Sequence, residues 1–186
     1  MKKIRTPPIL ADIVQAALAI CDGVVFDQGG ICPACTGPTT GYDIAQKQFA
    51  VVEDREGRRV IRVSVKRFSC RACGRVFFAD QPFYPDTRIG SPVVDLCTAF
   101  SSTMPYYGVA AYLARMGVVI DRGSVRNYAV SRHYRVATLD MFGVRLPASI
   151  VSLSSLAARL PEGRSADPSD IVAACGFPSR KKQDSN

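Results

Sequence analysis

The sequence predicts an α+β fold in which a small sheet comes first and a helical bundle follows. Two observations predict it. The apolar period changes from two to between three and four near residue 90, and two C-x-x-C pairs bracket the stretch of period two. With 186 residues the chain has room for one or two small domains. Hydrophobic residues make up 47% and charged residues 22%, and no apolar run approaches the ~18 residues of a membrane span. Neither a disordered chain nor a membrane protein is expected.

The chain opens with Lys2, Lys3 and Arg5, but Pro7, Pro8, Asp12 and Gln15 interrupt what a secretory leader would keep apolar. A cytoplasmic, nucleoid-associated location is therefore expected. Ile9, Leu10, Ile13, Val14, Ala17 and Leu18 recur at helical spacing behind Thr6 and Pro7, which predicts a helix within residues 1–23. Residues 24–80 switch period, with strands at 46–52 and 60–68 around the turn Asp54-Arg55-Glu56-Gly57. In the second strand Ile61, Val63 and Val65 alternate with Arg62, Ser64 and Lys66, as in a half-exposed strand. A short third strand follows Gly74 at 75–79. Residues 81–90 contain Pro82 and Pro85 and are expected to form a linker.

Three helices are predicted in residues 91–137. Ser91-Pro92 reads as a cap and first-turn proline ahead of the comb Val93, Leu96, Cys97 and Phe100. A second helix from Pro105 carries Val109, Tyr112, Leu113 and Met116 and stops at Gly117 in a left-handed conformation. Asp121 caps a third, running to about Arg135. Residues 138–160 are expected to be a helical segment, from the apolar stretch 147–160. Residues 161–186 are expected to be mostly flexible tail apart from a weak turn at 169–175.

Seven cysteines in a reducing compartment are more often metal ligands or core residues than disulfides. In Cys32-Pro33-Ala34-Cys35 and Cys70-Arg71-Ala72-Cys73 the two intervening residues let both thiolates of a pair converge at ~2.3 Å on one Zn²⁺. Gly37 and Gly74 supply permissive backbone after each pair. The pairs are separated by 34 residues, which an antiparallel hairpin can return to one place. The expectation is a zinc ribbon of a β-hairpin or three-stranded sheet, with one structural Zn²⁺ on Cys32, Cys35, Cys70 and Cys73. Without metal this polar hairpin is expected to unfold over residues 31–79. Four thiolates leave no position for a reactive water, and His133 reads as a surface residue. Cys97 falls on an apolar comb. Cys21 either packs against the ribbon or substitutes for a ligand, and Cys175 has no assigned role.

The 24 Lys and Arg exceed the 16 Asp and Glu, giving a net charge of +8. Eight of the basic residues lie between Arg55 and Arg75 against Glu56 alone, and five arginines between Pro105 and Arg135 face only Asp121. Such local excess is a footprint for a polyanion. The last three helices have the lengths of a helix-turn-helix bundle, whose final helix enters the major groove. On a wheel of that helix Val125 and Ala129, with Tyr128 and Arg132, form the packed side, while Arg126, Asn127, Val130 and Tyr134 point away. Arg can read guanine and Asn adenine in bidentate fashion. Arg122 and Ser124 in the first turn suit base or phosphate contacts, Arg135 suits phosphate, and Arg62 and Lys66 offer phosphate contacts from the ribbon strand.

The order of V-K-R-F-S-C-R-A-C-G-R-V-F (65–77), F-Y-P-D-T-R-I-G (83–90) and M-P-Y-Y-G-V-A-A-Y-L-A-R-M-G-V-V-I-D-R-G-S-V-R-N-Y (104–128) resembles the N-terminal DNA-binding region of prokaryotic and archaeal insertion-sequence transposases. The resemblance implies a zinc ribbon and helix-turn-helix that bind terminal repeats, with the four cysteines on zinc and the helix from Arg122 as reader. Those transposases cut DNA with a downstream RNase H-like domain of three acidic residues. The 51 residues after Arg135 are too few for that domain, so no enzyme and no small-molecule substrate are expected. The sequence thus points to a zinc-dependent, sequence-specific double-stranded DNA-binding protein, a truncated transposase relative or a derived regulator. A short recognised site calls for a homodimer or a joint footprint of ribbon and helices. The alternative is a zinc-ribbon adaptor for protein–protein interaction.

Overall fold

A computed structural model of the chain describes residues 7–130, 135–161 and 164–177. Among these residues the fold is mixed α+β, with six helices, a four-stranded sheet and a two-stranded one. Helix α1 (Pro8–Ala19) begins at a proline, whose fixed φ suits a first turn, and buries Leu10, Val14, Ala17 and Leu18. Strands β2 (Thr39–Asp54) and β3 (Gly57–Cys70) make a long antiparallel hairpin. Strand β1 (Val25–Phe26) runs parallel to the middle of β3, and β4 (Val76–Phe78) runs antiparallel to its end, so that β3 is central and β2 forms an edge.

The period of two in β3 is present in the burial pattern: Ile61, Val63 and Val65 are buried, Arg62 is exposed, and Ser64 and Lys66 are half-buried. The hairpin is longer than the expected strands 46–52 and 60–68. Residues 39–45 show no apolar alternation because neither of their faces enters the core, and it is pairing with β3 that makes them a strand.

Helices α2 (Ser91–Ser101), α3 (Tyr106–Arg115) and α4 (Arg122–Val130) follow. Ser91 is not the cap of α2. Gly90 holds that place, because a Cβ there would stand 2.4 Å from the Phe49 ring, and the buried Ser91 hydroxyl lies beside the Cys175 thiol. Asp121 does cap α4, accepting from the Ser124 amide at 2.9 Å and the Ser124 hydroxyl at 2.6 Å, bonds that hold its carboxyl below the usual carboxylate range. Helix α4 is described from Arg122 to Val130. Arg135 lies in irregular chain. Tyr134, with Arg132 and His133, lies outside the described residues.

Residues 138–147 are not helical. They form a hairpin, β5 (Thr138–Met141) and β6 (Val144–Pro147), around Phe142 and Gly143, both at positive φ as such tight turns require. Helix α5 (Ala148–Arg159) occupies the apolar stretch expected to be helical and lies along α1. The region expected to be tail contains α6 (Pro168–Ala174), capped by Asp167, with Ile171 and Val172 buried. The expected linker is also packed: Phe83, Thr87 and Ile89 are buried, and the Ser91 amide bonds Pro82 O. One hydrophobic cluster joins α1, the inner face of the sheet and the helices. No helix among the described residues is long and apolar enough to cross a membrane.

Two backbone segments lie along the outer edge of β2. The Gly90 amide bonds Phe49 O at 2.8 Å, and residues 117–119 form a bridge through Val119 N to Val51 O and Glu53 N to Gly117 O, both at 2.9 Å. Gly117 sits at φ +75°, where a Cβ would meet the Glu53 carbonyl at 2.8 Å, so glycine is needed both for conformation and for close approach. The α3–α4 connection is thereby an extra short strand of the sheet.

Candidate metal centre

The hairpin brings the two cysteine pairs together. Thr39 pairs with Cys70 at the open end of the hairpin, and the chain before β2 and after β3 turns back there into two knuckles. The Cys32 and Cys73 sulfurs are 3.7 Å apart and those of Cys35 and Cys70 3.4 Å, with all four within 4.8 Å of one another. A tetrahedron with metal–sulfur bonds of ~2.3 Å has edges of about 3.8 Å, so the four thiols are close to the positions a single tetrahedral ion would give them. Cys32 and Cys70 are buried while Cys35 and Cys73 face solvent.

The knuckles repeat one backbone pattern. In the first, the Thr36 amide bonds Cys32 O and the Cys32 amide bonds Gly37 O; in the second, Gly74 bonds Cys70 O and Cys70 bonds Arg75 O. The residue at the turn has positive φ in both, +56° at Thr36 and +70° at Gly74. Gly74 thus meets the expectation of a permissive glycine, whereas Gly37 has a different task. A Cβ on Gly37 would lie 2.9 Å from Ala72 Cβ and 3.2 and 3.3 Å from the Cys35 and Cys70 sulfurs. Glycine is there because the second knuckle passes too close for any side chain.

Backbone amides point at the sulfurs. Ala34 and Cys35 donate to Cys32, and Cys73 and Ala72 to Cys70, which holds both thiols below their ordinary range, that of Cys70 at about 6. The Gly37 amide acts the same way on Cys35, but hydrogen bonds with Cys70 and Cys73, together with burial, outweigh it and push that thiol up to about 12. Four thiols within reach of one another, with backbone amides directed at Cys32 and Cys70, are compatible with a single metal site, since a bound ion deprotonates its thiols outright. Cys21, Cys97 and Cys175 stand apart from this cluster. All three are buried, and burial raises each thiol, to about 12 for Cys97 and Cys175, so Cys21 is a core residue and no substitute ligand.

The basic residues fall on a second region. On α4 Val125 is buried, Tyr128 and Ala129 are half-buried, and Arg122, Arg126, Asn127 and Val130 are exposed, the division expected from the wheel; Ser124 is half-buried because it serves the cap. Arg135 is exposed beyond the helix. On β3 Arg58, Arg62 and Lys66 share the outer face by alternation, with the Lys66 ammonium 5.3 Å from the Phe68 ring. Arg58 belongs to the basic run between Arg55 and Arg75 but has no contact assigned to it from the sequence. It lines a shallow cleft with Gln48, Asp121, Ser124 and Tyr128, where the hairpin meets the start of α4. The i, i+4, i+8 spacing of Arg58, Arg62 and Lys66 is the signal that could have found it. No family model, no curated protein and no solved structure matches the chain.

Proposed function

We propose that the chain is a zinc-dependent, sequence-specific double-stranded DNA-binding protein of the kind the transposase resemblance implies, with no nuclease activity of its own. One observation carries the proposal. The backbone bonds of residues 117–119, which lead into α4, and of Gly90, which leads into α2, tie both helices to the edge of β2, so that the exposed Arg122, Arg126 and Asn127 and the basic face of β3 are carried by one hairpin. Residues 116–121 connect α3 to α4 as the turn of a helix-turn-helix would, with Gly117 in the left-handed conformation. They are longer than the usual turn because they also pair with β2. In this reading Cys32, Cys35, Cys70 and Cys73 hold Zn²⁺, for which a closed, soft four-thiolate site is the preferred environment, and the ion is structural. Arg62, Lys66, Arg122 and Arg135 contact phosphates, and Arg126 and Asn127 read bases.

Substitution separates reading from positioning. Arg126→Ala or Asn127→Ala is expected to cost ~1 to 3 kcal/mol on the preferred site and to flatten discrimination at one or two base pairs. Arg62→Ala or Lys66→Ala is expected to weaken every duplex alike and lower the salt slope by ~1 each. Binding titrations on preferred and random duplexes check both, and uniform weakening by Arg126→Ala and Asn127→Ala would remove α4 as the reader. A second reading, the protein-interaction adaptor, is favoured by Val76 and Phe78, apolar and about two-fifths exposed on β4. A DNA binder that neutralises ~6 phosphates loses ~10³ in affinity between about 50 and 200 mM salt; an adaptor shows no such loss.

A further inference from the structure

The metal end of the hairpin carries two aromatic rings that the core leaves largely open. Tyr42 is 60% and Phe78 40% exposed, and Arg67 lies between them, its guanidinium carbon 5.3 Å from the Tyr42 ring centroid and 6.0 Å from that of Phe78. Strand pairing builds this arrangement. Asp43, Arg67 and Phe78 stand opposite one another across β2, β3 and β4, on one face of the sheet. Arg67 donates through Nε and Nη2 to the two carboxylate oxygens of Asp43, a forked contact that fixes the plane of the guanidinium. By alternation Tyr42 would face away from Asp43. The register shift between Gly41 and Asp43 leaves Tyr42 as the extra residue, and its ring comes to lie over Arg67, as bulges re-aim side chains beside functional sites. Phe78 is held in turn by Lys47, whose ammonium is 4.6 Å from its centroid and 4.2 Å from that of Phe83 and donates to Gln81 Oε1 at 3.0 Å.

We propose that Tyr42, Arg67 and Phe78 form a stacking platform for the unpaired nucleobases of a single-stranded nucleic acid, at a surface separate from α4. Two rings and a fixed guanidinium plane offer flat faces, and an unpaired base presents a flat π-face to each of them whatever its identity. The sugar–phosphate chain finds cations at hand, since residues 66–79 hold Lys66, Arg67, Arg71 and Arg75 and no acid. A divalent ion on four thiolates adds two net negative charges beside Arg71 and Arg75, so stacking rather than phosphate attraction supplies most of the affinity. The slope of log affinity against log salt is therefore expected to be ~2 or less in magnitude, well below that of a duplex binder. Bases inside a duplex are already stacked on their neighbours and do not compete for the platform.

The chain contains no tryptophan, so Tyr42→Trp places a single indole on the platform. Titration of this variant, full-length and metal-loaded, with oligothymidylate or oligouridylate of ~12 nucleotides is expected to quench its fluorescence to saturation. The strand bound more tightly names the source, DNA or RNA. Tyr42→Ala is expected to bind an end-labelled strand about tenfold or more weakly than the parent, with metal content, circular dichroism and any binding of duplex unchanged. Three results overturn the proposal, whatever becomes of the duplex reading. One is the absence of quenching by either strand, which would leave this surface to a protein partner. Another is quenching abolished by an equal concentration of duplex of the same length, which would place the strand on the duplex-binding surface. The third is single-strand affinity in Tyr42→Ala equal to that of the parent.

Discussion

Thr36 and Gly74 hold the same place in the two knuckles, and they show how differently a left-handed backbone can be supported. Gly74 adopts φ +70° without cost, and nothing would meet a Cβ there. Thr36 is β-branched at φ +56°, held by its amide on Cys32 O and by its hydroxyl, which donates to Cys35 O at 2.7 Å. Gly37 beside it has ordinary φ and no room. The expected outcome of substitution therefore departs at Gly37 from what φ alone would suggest. Thr36→Gly should leave metal affinity unchanged or raise it, whereas Gly37→Ala forces Ala72 or a ligand sulfur to move and should lower affinity about tenfold or more, as disturbed metal surroundings commonly do. Competition with a chromophoric chelator measures both. Equal affinity of Gly37→Ala and the parent protein would show that the second knuckle yields freely, and the close approach would then carry no weight.

The hairpin is two structures end to end, which changes what metal removal should do. Its far half is built into the main core through Phe49, Ala50, Val52, Ile61, Val63 and Val65, each at most 3% exposed. Its near half has an exposed β2 stretch from Thr40 to Ile44 and the small pair Phe68 and Phe77, whose ring centroids are 5.9 Å apart. Loss of the whole ribbon over residues 31–79, as a polar hairpin without metal suggests, is therefore not the expected result. Chelation should expose amides at 31–44 and 66–78 to hydrogen exchange while 49–65 stay protected, and uniform loss of protection would count against this division. The helical combs are legible in sequence because Val93, Leu96, Cys97 and Phe100, or Val109, Tyr112 and Leu113, all enter the core. The cysteine spacing is legible for a similar reason, since two-residue gaps leave little choice of geometry. What is not legible is structure held by pairing or distant packing. The hairpin of β5 and β6 leaves Leu139 and Phe142 about half exposed and has no alternation to read, and the burial of Phe83 and Ile89 between prolines depends on Phe49 and the helices around it.

At the scale of the whole molecule the edge of β2 from Phe49 to Glu53 carries the segments that lead into α2 and α4, so the proposed reader on α4 and the basic face of β3 hang from one hairpin. Gly117 is the residue on which this attachment depends, because a Cβ there would meet the Glu53 carbonyl at 2.8 Å and its φ of +75° is one that side chains rarely adopt. Gly117→Ala is therefore expected to loosen α4 from the hairpin and to leave metal affinity at the four cysteines, at the other end of the hairpin, unchanged. Selection of bound duplexes from a random pool measures the consequence for the proposed reading: the parent protein is expected to return one enriched motif and the variant a weaker preference for the same bases. A variant that selects as sharply as the parent would show that α4 holds its place without the bridge to β2, and the geometric link between edge and reader would have to be given up.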